Sequence, residues 1–373
     1  MNKYQIPEGT KDLILDESLA KKQLQVNLEK LLDRWGYREV MTPTIEYFNT
    51  FLVGFEEIHE EDLYKFFDKN GKILTLRQDM TIPIARLVST KFKDDNFPLR
   101  LRYCAQVFTV LESFAGNQNE ETDLGVELIG EDSKTADLEI LAMAFDTLML
   151  LDEKNFTLEL GNIDFFNEAC RDLKLDETSK EKLANLIDNK SLTELNDFLI
   201  KLNLDKSKQE FFNQLPWLNG GLEVLEEAKK YTINDKQLQI INEIKELCDS
   251  LSKLGYQKYI TIDLGKVPRL NYYTGIIFEG FVSGVGHGVI SGGRYDNLLS
   301  KFDKDLPAIG FSLKLDRLLK VVNPKLDYKQ RKVINYPQDK IVEAISLSKT
   351  LRNDAIVRLN RNDDLQNIEV EDI

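Results

Sequence analysis

Two stretches rich in β-forming residues stand on either side of residues 161–255, which carry short helical patterns with Lys, Glu and Asp on their outer faces and no good strand. This split constrains the fold most. A helical insertion flanked by β-rich blocks places both blocks in one sheet, so the expected class is α+β, an antiparallel sheet flanked by helices.

In the first block, YREVMTPTIEY reads as a strand entering a turn at Pro43, and KILTLRQDMTIPIARLVST as a strand running into a helix whose start carries Asp79 and Thr81. Arg100 to Leu111 and Asp123 to Gly130 flank the polar loop ESFAGNQNEET, the pattern of a long antiparallel hairpin. Ahead of this block, Leu24, Leu28, Leu31, Leu32 and Trp35 keep a 3.6-residue period, with Asp16 as the expected cap and Gly36 as the stop. Behind it, ADLEILAMAFDTLMLL follows Ser133 and is apolar almost all round, a helix buried on most faces.

The second block runs through YITIDLG and YYTGIIFEGFV, turns in a glycine-rich loop, and closes with AIGFSLKLDRLLKVV, which reads as a helix. The expected divisions are 1–160 with 256–322 as one discontinuous domain, 161–255 as the insertion, and 323–373 as a short α/β segment. In that last piece KVINYP, QDKIVEAISLSKTLRND and AIVRLN read as strand, helix and strand ahead of an acidic, poorly patterned tail. It either packs on the core or adds a swapped strand.

Composition narrows the function. With 42% hydrophobic and 30% charged residues the chain is globular, and it has no run of roughly 18 apolar residues that would span a membrane. The start MNKYQIPEGT lacks a basic segment followed by an apolar one, so a cytoplasmic protein is expected. Cys104, Cys170 and Cys248 with His59 and His287 have no metal-ligand spacing, and no metal or cofactor is called for. A net charge of −14 argues against a nucleic-acid partner.

Two constellations carry chemistry. The loop VSGVGHGVISGGRYD has strand-like runs on both sides, unlike a dinucleotide fingerprint, which needs a helix after the glycines. Its glycines either permit a tight hairpin or, at Gly292 and Gly293, clear room for a small ligand beside Tyr295. Asp123 and Glu127, four apart on a strand, point to one face. That face is either solvated or the floor of a pocket, where carboxylates near Tyr272, Tyr273 and Tyr295 would suit a small cation such as an ammonium or imidazolium.

The ordered blocks LRQDMT, RLRYCAQVF, DLGVELIG, NYYTGIIFE, SGGRYD and AIGFSLKLDRL resemble the catalytic domain of histidyl-tRNA synthetase, a class II aminoacyl-tRNA synthetase, over about residues 4 to 320. The resemblance implies that fold, self-association through the domain, and a histidine site at Asp79, Thr81, Asp123, Glu127, Tyr272, Tyr273 and Tyr295. Asp79 stands where that family has Glu, and Asp123 where it has Gln.

The ATP-handling positions depart from the family. Thr109 replaces the arginine expected after Phe108, Pro268 replaces a second arginine, Arg269 is displaced to a glycine position, and Lys314 fills another glycine position with a side chain long enough to enter the nucleotide space. Arg317 is kept. A hydroxyl cannot replace a bidentate guanidinium on phosphate. The segment from Lys325 to Ile373 has nine basic and nine acidic residues, too few and too balanced for the synthetase's anticodon-binding domain.

A synthetase-like domain with its histidine pocket kept and catalytic arginines lost is similar to the regulatory-subunit family of ATP phosphoribosyltransferase. That resemblance implies a non-catalytic subunit in histidine biosynthesis, a short-form catalytic partner, and feedback inhibition by histidine. A divergent synthetase and a histidine-binding module with another partner are the alternatives.

Overall fold

The computed structural model describes residues 3–54, 60–93, 95–110, 118–151, 155–171, 173, 175–267, 272–322 and 330–373. The chain divides into two units, Met1–Asn323 and Pro324–Ile373.

The larger unit is built on a nine-stranded sheet. In spatial order its strands are Arg38–Glu39, Leu99–Phe108, Glu120–Ile129, Ala308–Lys314, Ile290–Arg294, Ile276–Val282, Phe156–Asn162, Ile260–Asp263 and Asn219–Gly220. Both β-rich blocks contribute to this sheet, but Ile45–Tyr47, Ile73–Leu76 and Lys65–Phe67 of the first block pair in a separate three-stranded sheet, which corrects the expectation of a single one. The central pairings of the nine-stranded sheet are antiparallel, whereas Arg38–Glu39 on Leu99–Phe108 and Phe156–Asn162 on Ile260–Asp263 are parallel, so that sheet is mixed.

The first helix, Leu15–Arg34, buries Leu24, Leu28 and Leu32, spaced four apart on one face. Truncating any of them to Ala would cost about 2–5 kcal/mol. Asp16 is not the cap: Ile14 holds that position without a side-chain bond, and Asp16 lies in the first turn, where its charge favours the helix dipole. Past the helix, Gly36 takes φ +86°, a backbone that turns the chain at little cost only for glycine. Helix Lys134–Leu151 buries Ile140, Leu141, Met143, Phe145 and Leu148 around most of its circumference.

Three other expectations need correction. Ala308–Lys314 is a strand, and only Leu315–Leu318 is helical. The strand lies inside the sheet, so its apolar residues face cores on both sides, and a short continuous apolar run has no period separating strand from helix. Between 161 and 255 the chain is mostly helix, but Asn219–Gly220 pairs with Ile262 and Asp263 as an edge strand. In the smaller unit the acidic tail is ordered: Glu369–Asp372 pairs antiparallel with Arg331–Tyr336, and Lys332 Nζ lies 2.7 Å from Asp372 Oδ1. Arg331–Tyr336 also pairs in parallel with Ile356–Arg361, and helix Ile341–Leu351 contributes Ala344 to a small core with Ile334, Ala355 and Val357.

Candidate functional site: an acidic, tyrosine-walled cavity

Period-two alternation along Glu120–Ile129 sends Asp123, Gly125 and Glu127 to one face. Across the register Lys314 sits opposite Asp123, Ser312 opposite Gly125 and Gly310 opposite Glu127, while Tyr103 flanks Gly125 on the other side. Two glycines make this floor. A Cβ on Gly310 would overlap the Glu127 carboxylate, and one on Gly125 would come within 2.5 Å of the Tyr103 hydroxyl. Side chains there would refill the space the carboxylates and the tyrosine occupy.

Above the floor, helix Thr81–Lys91 begins next to Asp79. Thr81 Oγ1 donates to Glu127 Oε1 at 3.0 Å, and Tyr295 donates its hydroxyl to Glu127 Oε2. Tyr295 packs edge-on to Tyr272 with ring centroids 5.9 Å apart, and Tyr272 lies 4.9 Å from Tyr273. All seven residues singled out in the sequence line this one cavity, which leaves about 90 Å³ for the centres of water-sized spheres, enough for several waters.

The carboxylates differ. Burial pushes Glu127 up to about 8 against the bonds from Tyr295 and Thr81, which favour its charge. Burial likewise pushes Asp79 up to about 7; the Ile82 amide, 3.2 Å from Oδ1, opposes that shift. Asp79 Oδ2 is buried and has no hydrogen-bond partner among the described residues. Asp123 is already matched: Lys314 Nζ lies 2.7 and 2.9 Å from its two oxygens, and Ser312 Oγ donates at 2.8 Å. Three carboxylates thus give two sites short of positive charge and one that is neutralised.

This pairing corrects the expected place of Lys314, whose ammonium rests on Asp123. Arg317 is engaged too. Its Nε and one Nη hold Glu121 at 2.7 and 2.8 Å, and the other Nη donates to the Gly288 carbonyl at 2.9 Å. Thr109 donates its backbone N–H to Asn119 at 3.0 Å in the hairpin. Pro268, Arg269, His59, Leu111 and residues 112–117 of the polar loop lie outside the described residues.

Sequence reasoning missed Tyr103, Gly310 and Ser312. The last two were hidden because their run was read as helix, which removes the alternation that puts Gly310, Ser312 and Lys314 on one face. Tyr103 had a signal: it lies in the strand paired with Asp123 and Glu127. No group of three or more His, Cys, Asp or Glu placed to hold a metal ion occurs among the described residues. Burial pushes the three thiols up to about 12, so none is a ready nucleophile.

Comparison with known proteins gives the family. A model of histidyl-tRNA synthetase matches residues 9–318. The ATP phosphoribosyltransferase regulatory subunit of Clostridium botulinum strain Langeland is 37% identical over 362 residues, covering 95% of this chain and 86% of that protein. That of Clostridium kluyveri is 36% identical, covering 94% and 92%. A crystal structure from Bacillus halodurans, described as an ATP phosphoribosyltransferase regulatory subunit/histidyl-tRNA synthetase, superposes with a TM-score of 0.86 at 31% identity, covering 98% of this chain and 94% of that one. Histidyl-tRNA synthetase from Nostoc superposes at 0.77 with 19% identity, covering 97% and 87%, which shows the fold alone. No helix among the described residues is long and apolar enough to cross a membrane. A class II synthetase fold, together with relatives of this identity over nearly the whole length, shows that the chain belongs to the family of ATP phosphoribosyltransferase regulatory subunits.

Proposed function

We propose that this chain is the non-catalytic, histidine-sensing subunit of a cytoplasmic ATP phosphoribosyltransferase, required by a short-form catalytic subunit for the first step of histidine biosynthesis. The observation that carries the reading is the buried Asp79 carboxylate, with one oxygen unpartnered, beside Glu127 in a tyrosine-walled cavity. A ligand with an α-ammonium and an imidazole would supply the missing donors, and charge-assisted hydrogen bonds of this kind contribute roughly 1.5–3 kcal/mol each. Asp79, Thr81, Asp123, Glu127, Tyr272, Tyr273 and Tyr295 form the histidine site, with Asp123 acting through its Lys314 and Ser312 partners.

Self-association accompanies this role. Met41 and Ile45 stand 78% and 47% exposed beside and on the small sheet formed by Ile45–Tyr47, Ile73–Leu76 and Lys65–Phe67, apolar area that a second copy would cover. The test is the activity of the short catalytic subunit with and without this chain across a histidine series. The reading expects activity only in the mixture and its loss as histidine rises. Glu127→Gln should weaken the inhibition at least about tenfold. Full activity of the catalytic subunit alone, or unchanged inhibition in the variant, would count against it.

A further inference from the structure

A second cleft, sharing no residue with the tyrosine-walled cavity, opens between helix Thr81–Lys91, the small sheet and the turn Leu299–Phe302. It leaves about 1090 Å³ for the centres of water-sized spheres. Among the described residues its lining gathers Lys72, Arg86, Lys93, Lys301 and Lys304 with one carboxylate, Asp303. Such a gathering is unexpected on a chain whose net charge is −14, because like charges brought together raise the energy of the fold unless something offsets them.

Part of the offset is internal. Arg86 holds the buried Glu46 at 2.6 Å, Lys72 lies 5.1 Å from the centre of the Tyr47 ring, and Lys304 donates to the backbone carbonyl of Lys93 at 3.0 Å. Arg86 is matched by Glu46, whereas Lys72, Lys93 and Lys304 form no ion pair with a carboxylate among the described residues. Two buried donors are also unused: Arg86 Nε and the hydroxyl of Ser89, a residue only 8% exposed, have no hydrogen-bond partner among the described residues. Both lie on the helix face that lines the cleft. Buried donors of this kind are normally satisfied, and leaving one unmade costs about 1–3 kcal/mol.

We propose that this cleft is a second ligand site, for a small molecule carrying two or more linked phosphates. Phosphate oxygens match the donor set: a guanidinium edge, a hydroxyl and several ammonium groups. A single carboxylate would leave most of the positive charge uncompensated. Tyr47 and Phe302 lie in the same lining, so an organic group attached to the phosphates would have an aromatic surface to rest on.

The experiment is calorimetric titration of the full-length protein with inorganic pyrophosphate, tripolyphosphate and ATP, each repeated in KCl of matched ionic strength. Saturable binding that survives the matched salt is expected. Ser89→Ala should weaken it about fivefold and the pair Lys93→Glu with Lys304→Glu more than about tenfold, while Glu127→Gln leaves it unchanged. Tighter binding of ATP than of tripolyphosphate would assign the aromatic surface to the base; equal binding would assign the site to the phosphates alone. No saturable binding up to about 10 mM, loss of all binding in matched salt, or lysine variants that bind as the parent does would overturn the proposal. Because Glu127→Gln reports on the other cavity, failure here and failure of the histidine reading are separable.

Discussion

Lys314 places its ammonium 2.7 and 2.9 Å from the two oxygens of Asp123, directly across the antiparallel register from it. The carboxylate is almost fully buried, whereas the lysine keeps about a quarter of its side chain in solvent. Asp123, where the resemblance to the synthetases implies Gln, thus comes with its own counter-ion.

Removing one partner of that pair should therefore hurt more than removing both. Lys314→Met leaves a buried carboxylate uncompensated and should lower stability by about 1–3 kcal/mol, below the range for fully buried pairs because Lys314 is partly exposed. Asp123→Asn added to it should recover much of the loss. Chemical denaturation of the two single variants and the double variant checks this, and additive losses would mean that the pair does not couple.

The raised values at Asp79 and Glu127 set the sign of a pH dependence. Both groups hold protons more tightly folded than unfolded, so their contribution is fully present below the ordinary carboxylate range and is lost as pH rises through about 7 and 8. The ligand-free protein should lose thermal stability between roughly pH 5 and 8. Histidine, which favours the ionised carboxylates, should stabilise most at the upper end. Melting temperatures at fixed ionic strength test both statements. Asp79→Asn and Glu127→Gln should each flatten the profile, and a profile of the opposite slope would reject the assignment.

Adenylate formation needs positive charge on a five-coordinate phosphorus. Thr109 offers none, and Arg317 already spends its donors on Glu121 and the Gly288 carbonyl. The expected outcome is no histidine-dependent exchange of pyrophosphate into ATP, either in the parent protein or in Thr109→Arg, since one restored arginine leaves the other departures in place. Measurable exchange in the parent would make it a synthetase.

The fold was legible where a period was long. The 99–108 and 120–129 hairpin and the helix carrying Leu24, Leu28 and Leu32 follow directly from spacing. It was illegible at Ala308–Lys314, buried on both faces, and at Glu369–Asp372, whose charges conceal a strand fixed by its neighbour. The seven cavity residues came from family motifs more than from spacing, since Asp79, Tyr272 and Tyr295 meet Glu127 only through tertiary packing. The neutralisation of Asp123 required the register itself.

How histidine would reach the partner is the last expectation. A ligand alters a distant reaction only by binding one conformation better than another, so the cavity must touch an element that can move. The hairpin loop between Ile276–Val282 and Ile290–Arg294 is the expected element: it leads through Gly292 and Gly293 to Tyr295 in the cavity wall, and its Gly288 carbonyl is held by Arg317. Its two central glycines are not equivalent. A methyl group on Gly286 would meet nothing within 4 Å, whereas one on Gly288 would overlap the Glu279 carboxylate, itself ion-paired with Lys266. Gly286→Ala should therefore leave the loop's position intact and reduce only its freedom. Gly288→Ala should displace Glu279 or the loop and uncouple inhibition from histidine binding while assembly persists. Hydrogen exchange of residues 283–293, and of the polar loop 112–122, in the assembled complex with and without histidine is the direct measurement. Protection that changes in the parent and not in Gly288→Ala supports this route, and identical exchange with and without histidine in the parent rules it out.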